Sequence, residues 1–487
     1  MSNDDAHYQP MPGDGDAQPW EQMLRQFLGE AAEPMIEQIR ASGVNPMEMM
    51  PPGMAAAMPS SPAELNAFAH QYQMMMNSSS GPVNWTLAES LARSGAWTAS
   101  DTPVSAATGV QLRQALTTAD LWLDTVTTLD PARGNRHVWR RSDWVDGTID
   151  AWKTIVEPVA NAISKELTDA VESSLAAADD PMIAGIADAI SSRSLFSQLA
   201  AQLVGAQVGN ALSKMAQSAL GLSDAGMPMT SSQDTALVAV NVDAFAEGFD
   251  IPLDEVRQFV AVREAARARL FASVGWLRTR ILEIISNYCA HTKVSVVGLE
   301  RMMDQAGLDD PTQIESVSHA LGIQIDHGAS DAQDAAIDAL QTLFALIEGW
   351  VEVVTVEAAR PFLPHVEELN EILRRRRIAD NPIDTMLREL IGVGLQPGNI
   401  AEATRLWRTI MRDHDLATRD AQWTHPDLAP TREDLDDPEG FSQRRARRAE
   451  SEAHIDAALE SLLDGTLGWA SGLEPGQDSE GDATTHK

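Results

Sequence analysis

Cysteine, lysine and tyrosine are scarce in this chain. One cysteine, Cys289, in 487 residues excludes an intramolecular disulfide and any cysteine-built zinc cluster within one chain. Positive charge is short as well: 36 Lys and Arg stand against 71 Asp and Glu, a formal net charge of −35. That balance offers no basic face for phosphate contacts, so nucleic acid is not an expected partner. It also disfavours adsorption to anionic membranes. No purely apolar run approaches the ~20 residues of a membrane span. The opening MSNDDAHYQP is acidic and polar, unlike a secretory signal. The sequence predicts a cytoplasmic protein.

The usual chemical motifs are missing. No two of the eleven histidines are three or four residues apart, so no helix offers a histidine pair to a metal, and H-E-x-x-H is absent. His319 and His327 form the closest pair. There is no G-x-S-x-G elbow, no G-x-x-x-x-G-K-[ST] and no G-x-G-x-x-G. Cys289 has His291 nearby, but at the end of an amphipathic helix it reads as an inert thiol. The acidic run EDLDDPE at 433–439 lacks the spacing of an EF-hand loop and reads as a turn with capping carboxylates.

What is present divides the chain into three. Residues 1–80 read as a disordered, Met- and Pro-rich arm with one amphipathic helix over 20–42 and a flexible linker over 45–62. Residues 81–442 carry the packed sequence. Residues 443–487 read as one exposed helix and an acidic tail. Most of the twelve tryptophans, including Trp139, Trp144 and Trp152, read as core, as do Leu112, Leu116, Leu121 and Trp122. Ser142 is the expected N-cap of the helix that follows it. Over 194–220, Ala201, Gly205 and Gly209 recur every four residues, which implies close helix–helix contact. Helical periods run through 253–289, 295–305, 311–321, 331–359, 365–378, 382–393 and 399–413. The β-branched stretch ALVAVNV at 236–242 predicts a strand, in a small hairpin with Met227–Met229. The fold class is mainly α, with this hairpin before the 253–289 helix.

One constellation carries chemistry. In LDEVRQFVAVREAARARLF, helical stacking puts Arg263, Glu264 and Arg267 into an apolar stripe. Such charges either rotate outward or need partners in the core. Glu348, in the apolar helix ALIEGWVEVV, is the candidate partner.

These residues carry a resemblance. The chain resembles the zincin-like hydrolases of actinobacteria, often labelled zinc-dependent metalloproteases, over roughly 80–442. The landmarks are GPVNW, ADLWLD, EPVA, GAQVGNALS, VNVDAFAEGF, REAARARLF, EGWVE, RRRR and WTHPDLAPT, in that order. The resemblance implies a zincin-like helical core, a zinc ion held by two histidines of H-E-x-x-H, a general-base Glu between them, and a later Glu in E-G-[H/Y] as third ligand. Here the two histidine positions hold Arg263 and Arg267. The base position holds Glu264, the later Glu is Glu348, and Trp350 stands at the [H/Y] position.

An arginine has no free lone pair and stays protonated, so no zinc cofactor is expected. An ion-pair cluster of Arg263, Glu264, Arg267 and Glu348 is expected in its place. The resulting expectation is a metal-free binding or structural pseudoenzyme with an unknown protein or peptide as partner, captured by β-augmentation if the edge strand persists. One alternative is an active zinc hydrolase using Glu264, with ligands such as His319 and His327 recruited by the fold. Another is a metal-free hydrolase using Glu264 and Glu348 as a carboxylate pair.

Overall fold

The computed structural model describes residues 81–176, 193–290, 293–297, 322–326, 330–379, 388 and 397–463. The expected arm over 1–80, the end of the acidic tail, His291, His319 and His327, and nearly all of 382–393 lie outside the described residues. The first elements are α1 (Trp85–Thr98), α2 (Ala106–Leu123), β1 (Arg136–Trp139), α3 (Arg141–Ala176), α4 (Arg193–Ser218), β2 (Thr235–Val238) and α5 (Ala239–Ala246). They lead into α6 (Leu253–Ser273), α7 (Trp276–Ala290), β3 (Lys293–Val297) and β4 (Gly322–Asp326). The last are α8 (Asp331–Ala359), α9 (Val366–Ala379), α10 (Pro397–Asp413), α11 (Leu416–Ala421), α12 (Arg432–Asp436) and α13 (Phe441–Leu463). The fold is mainly α.

Small residues set the first layer. Ala88, Ala92 and Ala96 form a buried stripe on α1, which packs against α4. A methyl group at Gly205 would lie 2.6 Å from the Asn84 carbonyl oxygen, and one at Gly209 2.7 Å from that of Ala88. The backbones therefore approach as closely as the small-residue spacing implied. Asn84 closes the corner: its side chain accepts from Leu87 N (3.0 Å), and its own N–H donates to Ala201 O.

The first turn of α3 is capped from a distance. Asp101 accepts from the backbone N–H of Arg141 and of Ser142, so Ser142 lies inside the helix and donates its hydroxyl to Asp101. A longer-range carboxylate replaces the local hydroxyl cap because it reaches two of the unpaired amides of the first turn.

The expected hairpin does not form. β2 pairs in parallel with β1, Arg136 opposite Thr235 and Trp139 opposite Val238. Its other edge is taken by the 220–222 segment: Leu222 N donates to Ala236 O and Val238 N to Leu220 O. Residues 239–242 turn into α5. β2 is buried throughout and has no edge left for β-augmentation. The 253–289 period is broken at Val274 and Gly275 into α6 and α7, where Val274 N closes back on Leu270 O. Glycine is a poor helix former. The helical reading of 295–305 also gives way at its start. Val294, Val296 and Val297 are β-branched, and Lys293–Val297 runs antiparallel to Gly322–Asp326.

α6 and α8 are the buried axes. From Phe259 to Leu270 every residue of α6 is buried. α8 is long and apolar enough, by length and composition, to cross a membrane, but 89% of that stretch is buried inside the fold. It packs against α6, α7 and α10, and Trp407 donates to Leu346 O (2.9 Å). Trp144 and Trp152 are fully buried, whereas Leu121 is 65% exposed and Trp122 is half-buried, stacked on Phe362.

Candidate functional site

Three helices deliver charged side chains to one place. Arg263 and Arg267 are one turn apart on α6, Glu348 and Glu352 one turn apart on α8, and Arg374 and Arg377 three residues apart on α9. Each spacing puts both members on one helix face. The outward rotation open to the α6 arginines is not taken: Arg263 and Arg267 are 4% and 2% exposed.

Glu348 is the centre. Arg263 Nη2 donates to Oε2 at 2.8 Å. Arg267 grips both oxygens, Nε to Oε1 at 3.0 Å and Nη2 to Oε2 at 3.1 Å. Arg377 Nη1 makes a third ion pair with Oε2. Arg267 also reaches Asp224 at 3.4 Å. One turn along α8, Glu352 accepts both arms of Arg374, at 3.0 and 2.7 Å.

Burial alone would raise the pKa of Glu348. The guanidinium groups of Arg267, Arg377 and Arg263 outweigh it and hold the carboxylate well below its usual range. Arg263 is pulled down to about 9, first by burial, then by the like charges of Arg377 and Arg267. Both groups are charged at neutral pH, and the strain of excess positive charge falls on Arg263.

Glu264 does not join this cluster. It turns toward the 220–226 segment, where the N–H of Ser223 (3.1 and 3.2 Å) and its hydroxyl (3.1 Å) donate to the carboxylate. Burial pushes its pKa up to about 7, against the pull of Arg267 and the Ser223 N–H. The covering segment is fixed by Trp144, whose indole N–H donates to Gly221 O (3.1 Å). A Cβ at Gly221 would lie 2.5 Å from Glu264 Oε2. Gly226, with φ of +67°, passes so near Glu348 that a Cβ there would sit 3.2 Å from Oε1. One segment therefore roofs both carboxylates, and glycine is what lets it lie so close.

The donor set does not fit zinc. The oxygens of Glu348 are taken by guanidinium groups, which cannot ligate a metal. Among the described residues, no group of three His, Cys, Asp or Glu could hold a metal ion. Cys289 is buried, its thiol pushed up to about 12 by burial, which suits an inert residue. Trp350, expected near this site, points elsewhere: its indole N–H donates to Asp420 (3.0 Å). EDLDDPE does cap turns. Asp434 closes a capping box with Thr431, and Asp437 accepts from Gly440 N.

Arg377, Arg374, Glu352 and Asp224 were not singled out from the sequence. The first three had a readable signal, since RRRR and EGWVE place them at helical spacings facing α6. Asp224 had none, because its place depends on how the loop after α4 folds back.

The comparisons agree with this architecture. A solved structure described as "a putative hydrolase with a novel fold", from Chloroflexus aurantiacus, superposes with a TM-score of 0.52 at 17% identity, covering 75% of this chain and 99% of that one. At that identity the likeness concerns the fold. No curated protein matches the chain. The family model for zincin-like metallopeptidases matches residues 83–442, and the chain belongs to that family.

Proposed function

We propose that this chain is a zincin-like protein in which an arginine–carboxylate network takes the place of the zinc ion, and that it acts as a metal-free binding or structural protein. The supporting observation is Glu348 shared by Arg263, Arg267 and Arg377. A guanidinium cannot ligate a metal, and three of them repel one. Zinc's mechanical part, tying the motif helix to the later helix, passes to salt bridges between α6, α8 and α9. The enclosure of Glu264 supports the same reading. A general base must reach its water, and Glu264 is 2% exposed beneath Gly221 and Ser223. The carboxylate-pair hydrolase loses support for the same reason.

The test is metal content by mass spectrometry on untagged protein, before and after dialysis against trace zinc. Zinc well below one per chain in both samples is the expected result. Near-stoichiometric zinc would overturn the reading and restore a hydrolase, to be assayed on peptides with Glu264→Gln as control.

A further inference from the structure

We infer that the cavity between α9 and the start of α10 is a binding site for a small oxyanion, a carboxylate or a phosphate group. The inference rests on the reading that arginines, not a metal, occupy the family's zinc position. The cavity holds about 220 Å³, many times the space of one water. Arg263, Arg374, Arg377, Glu352, Asn370 and Ile400 are among its walls.

Two of those wall residues each carry a buried polar atom without a partner. Among the described residues, Arg263 Nε finds no acceptor and Asn370 Oδ1 no donor, although each residue is only 4% exposed. Orphaned polar atoms at such depth are costly unless a guest or water satisfies them. An oxyanion held against the Arg263 guanidinium offers the acceptor that its Nε lacks. The Asn370 amide, turned end for end, offers its N–H groups to the same guest.

The charge count favours an anion. The ion pairs around the cavity join six arginines, 263, 267, 374, 375, 377 and 408, to four carboxylates, Glu348, Glu352, Glu371 and Asp224. Arginine left over beside a cavity is the usual receptor for carboxylate and phosphate, which match its planar fork. Two carboxylates also line the cavity, but both are engaged: Glu352 by Arg374 and Glu371 by Arg375.

Titration calorimetry and thermal unfolding on the full chain test the site, with inorganic phosphate and N-acetylglycine as probes at ionic strength held constant with chloride. The expected result is one saturable site per chain for at least one probe, with a matching rise in unfolding midpoint. A response to phosphate alone assigns a phosphate group, and one to N-acetylglycine alone a carboxylate. Asn370→Asp builds an anion into the cavity. It is expected to abolish the response and to unfold no lower than the parent. Asn370→Leu, which removes the amide without adding charge, is expected to weaken binding at least tenfold and serves if the Asp variant does not fold. Zinc is assayed on the same samples. Metal-free protein that binds neither probe, or a response unchanged in the variants, overturns the oxyanion site alone. Near-stoichiometric zinc overturns the reading beneath it.

Discussion

Glu348, on α8, and Asp420, packed beside it, are both buried carboxylates, and they are served in different ways. Asp420 accepts from Thr127 Oγ1 (2.7 Å), Thr128 N (2.7 Å), Trp350 Nε1 (3.0 Å) and Arg419 Nε (2.8 Å). Most of those donors are neutral, and one arginine meets one aspartate. Glu348 is served by arginines from two helices, in excess, with an orphaned Nε at the edge of a cavity. Because Glu348 and Trp350 are two residues apart on one helix, they face nearly opposite sides of it. The Asp420 side is a finished structural joint. The Glu348 side carries more charge than its own pairs neutralise, which marks a place built around something else.

The comparison breaks most sharply at Glu348. Glu348→Gln leaves three guanidinium groups with no carboxylate between them and is expected to cost about 3–5 kcal/mol, read from urea unfolding. Glu264 gives the next effect. A carboxyl whose pKa rises from 4.5 unfolded to about 7 folded stabilises the fold fully below pH 4.5, and that contribution is lost as pH rises to about 7. Glu264→Gln is therefore expected to remove about 3 kcal/mol of pH dependence in that window, measured as unfolding free energy against pH. Glu348, held low, acts in the opposite sense: its contribution is present above about pH 4.5 and is lost as pH falls below that.

Asp420→Ala strands Thr127, Trp350 and part of Arg419, and is expected to cost about 2 kcal/mol with no change in any anion response. Arg377→Gln sharpens the contrast. Glu348 keeps two partners, so the cost is expected to stay under about 1 kcal/mol, whereas Arg419→Gln, at the balanced joint, should cost more on the same unfolding curves. The smallest effect is at Arg412, which pairs with Glu439 in full solvent. Arg412→Gln is expected to leave the unfolding midpoint unchanged, because exposed pairs contribute little.

Much of the helical frame was legible because its signals are local. The Gly spacing of α4 and the apolar run of α8 each state their own packing. The juxtaposition of Arg263, Arg267 and Glu348 followed from charges placed inside apolar stripes. Glu264 was misjudged because its neighbour in the helix decides nothing. The roof over it comes from residues 220–226, some forty positions away. The hairpin failed for a similar reason. A β-branched run announces a strand but not its partner, and here the partner is β1, a century of residues earlier. The cap on α3 failed likewise, since Asp101 outcompeted a serine in the right local place.

That same strand pairing has a kinetic consequence. A parallel pair cannot close through a tight turn, and β1 meets β2 only after α3 and α4 have been laid between them. The search for this contact pays the loop entropy of nearly a hundred residues before any hydrogen bond returns it. Topology of this kind slows folding. On the ribosome, β1 must wait unpaired until Val238 has emerged. The 220–226 roof, which is laced to β2, can settle over Glu264 only when α6 follows it out.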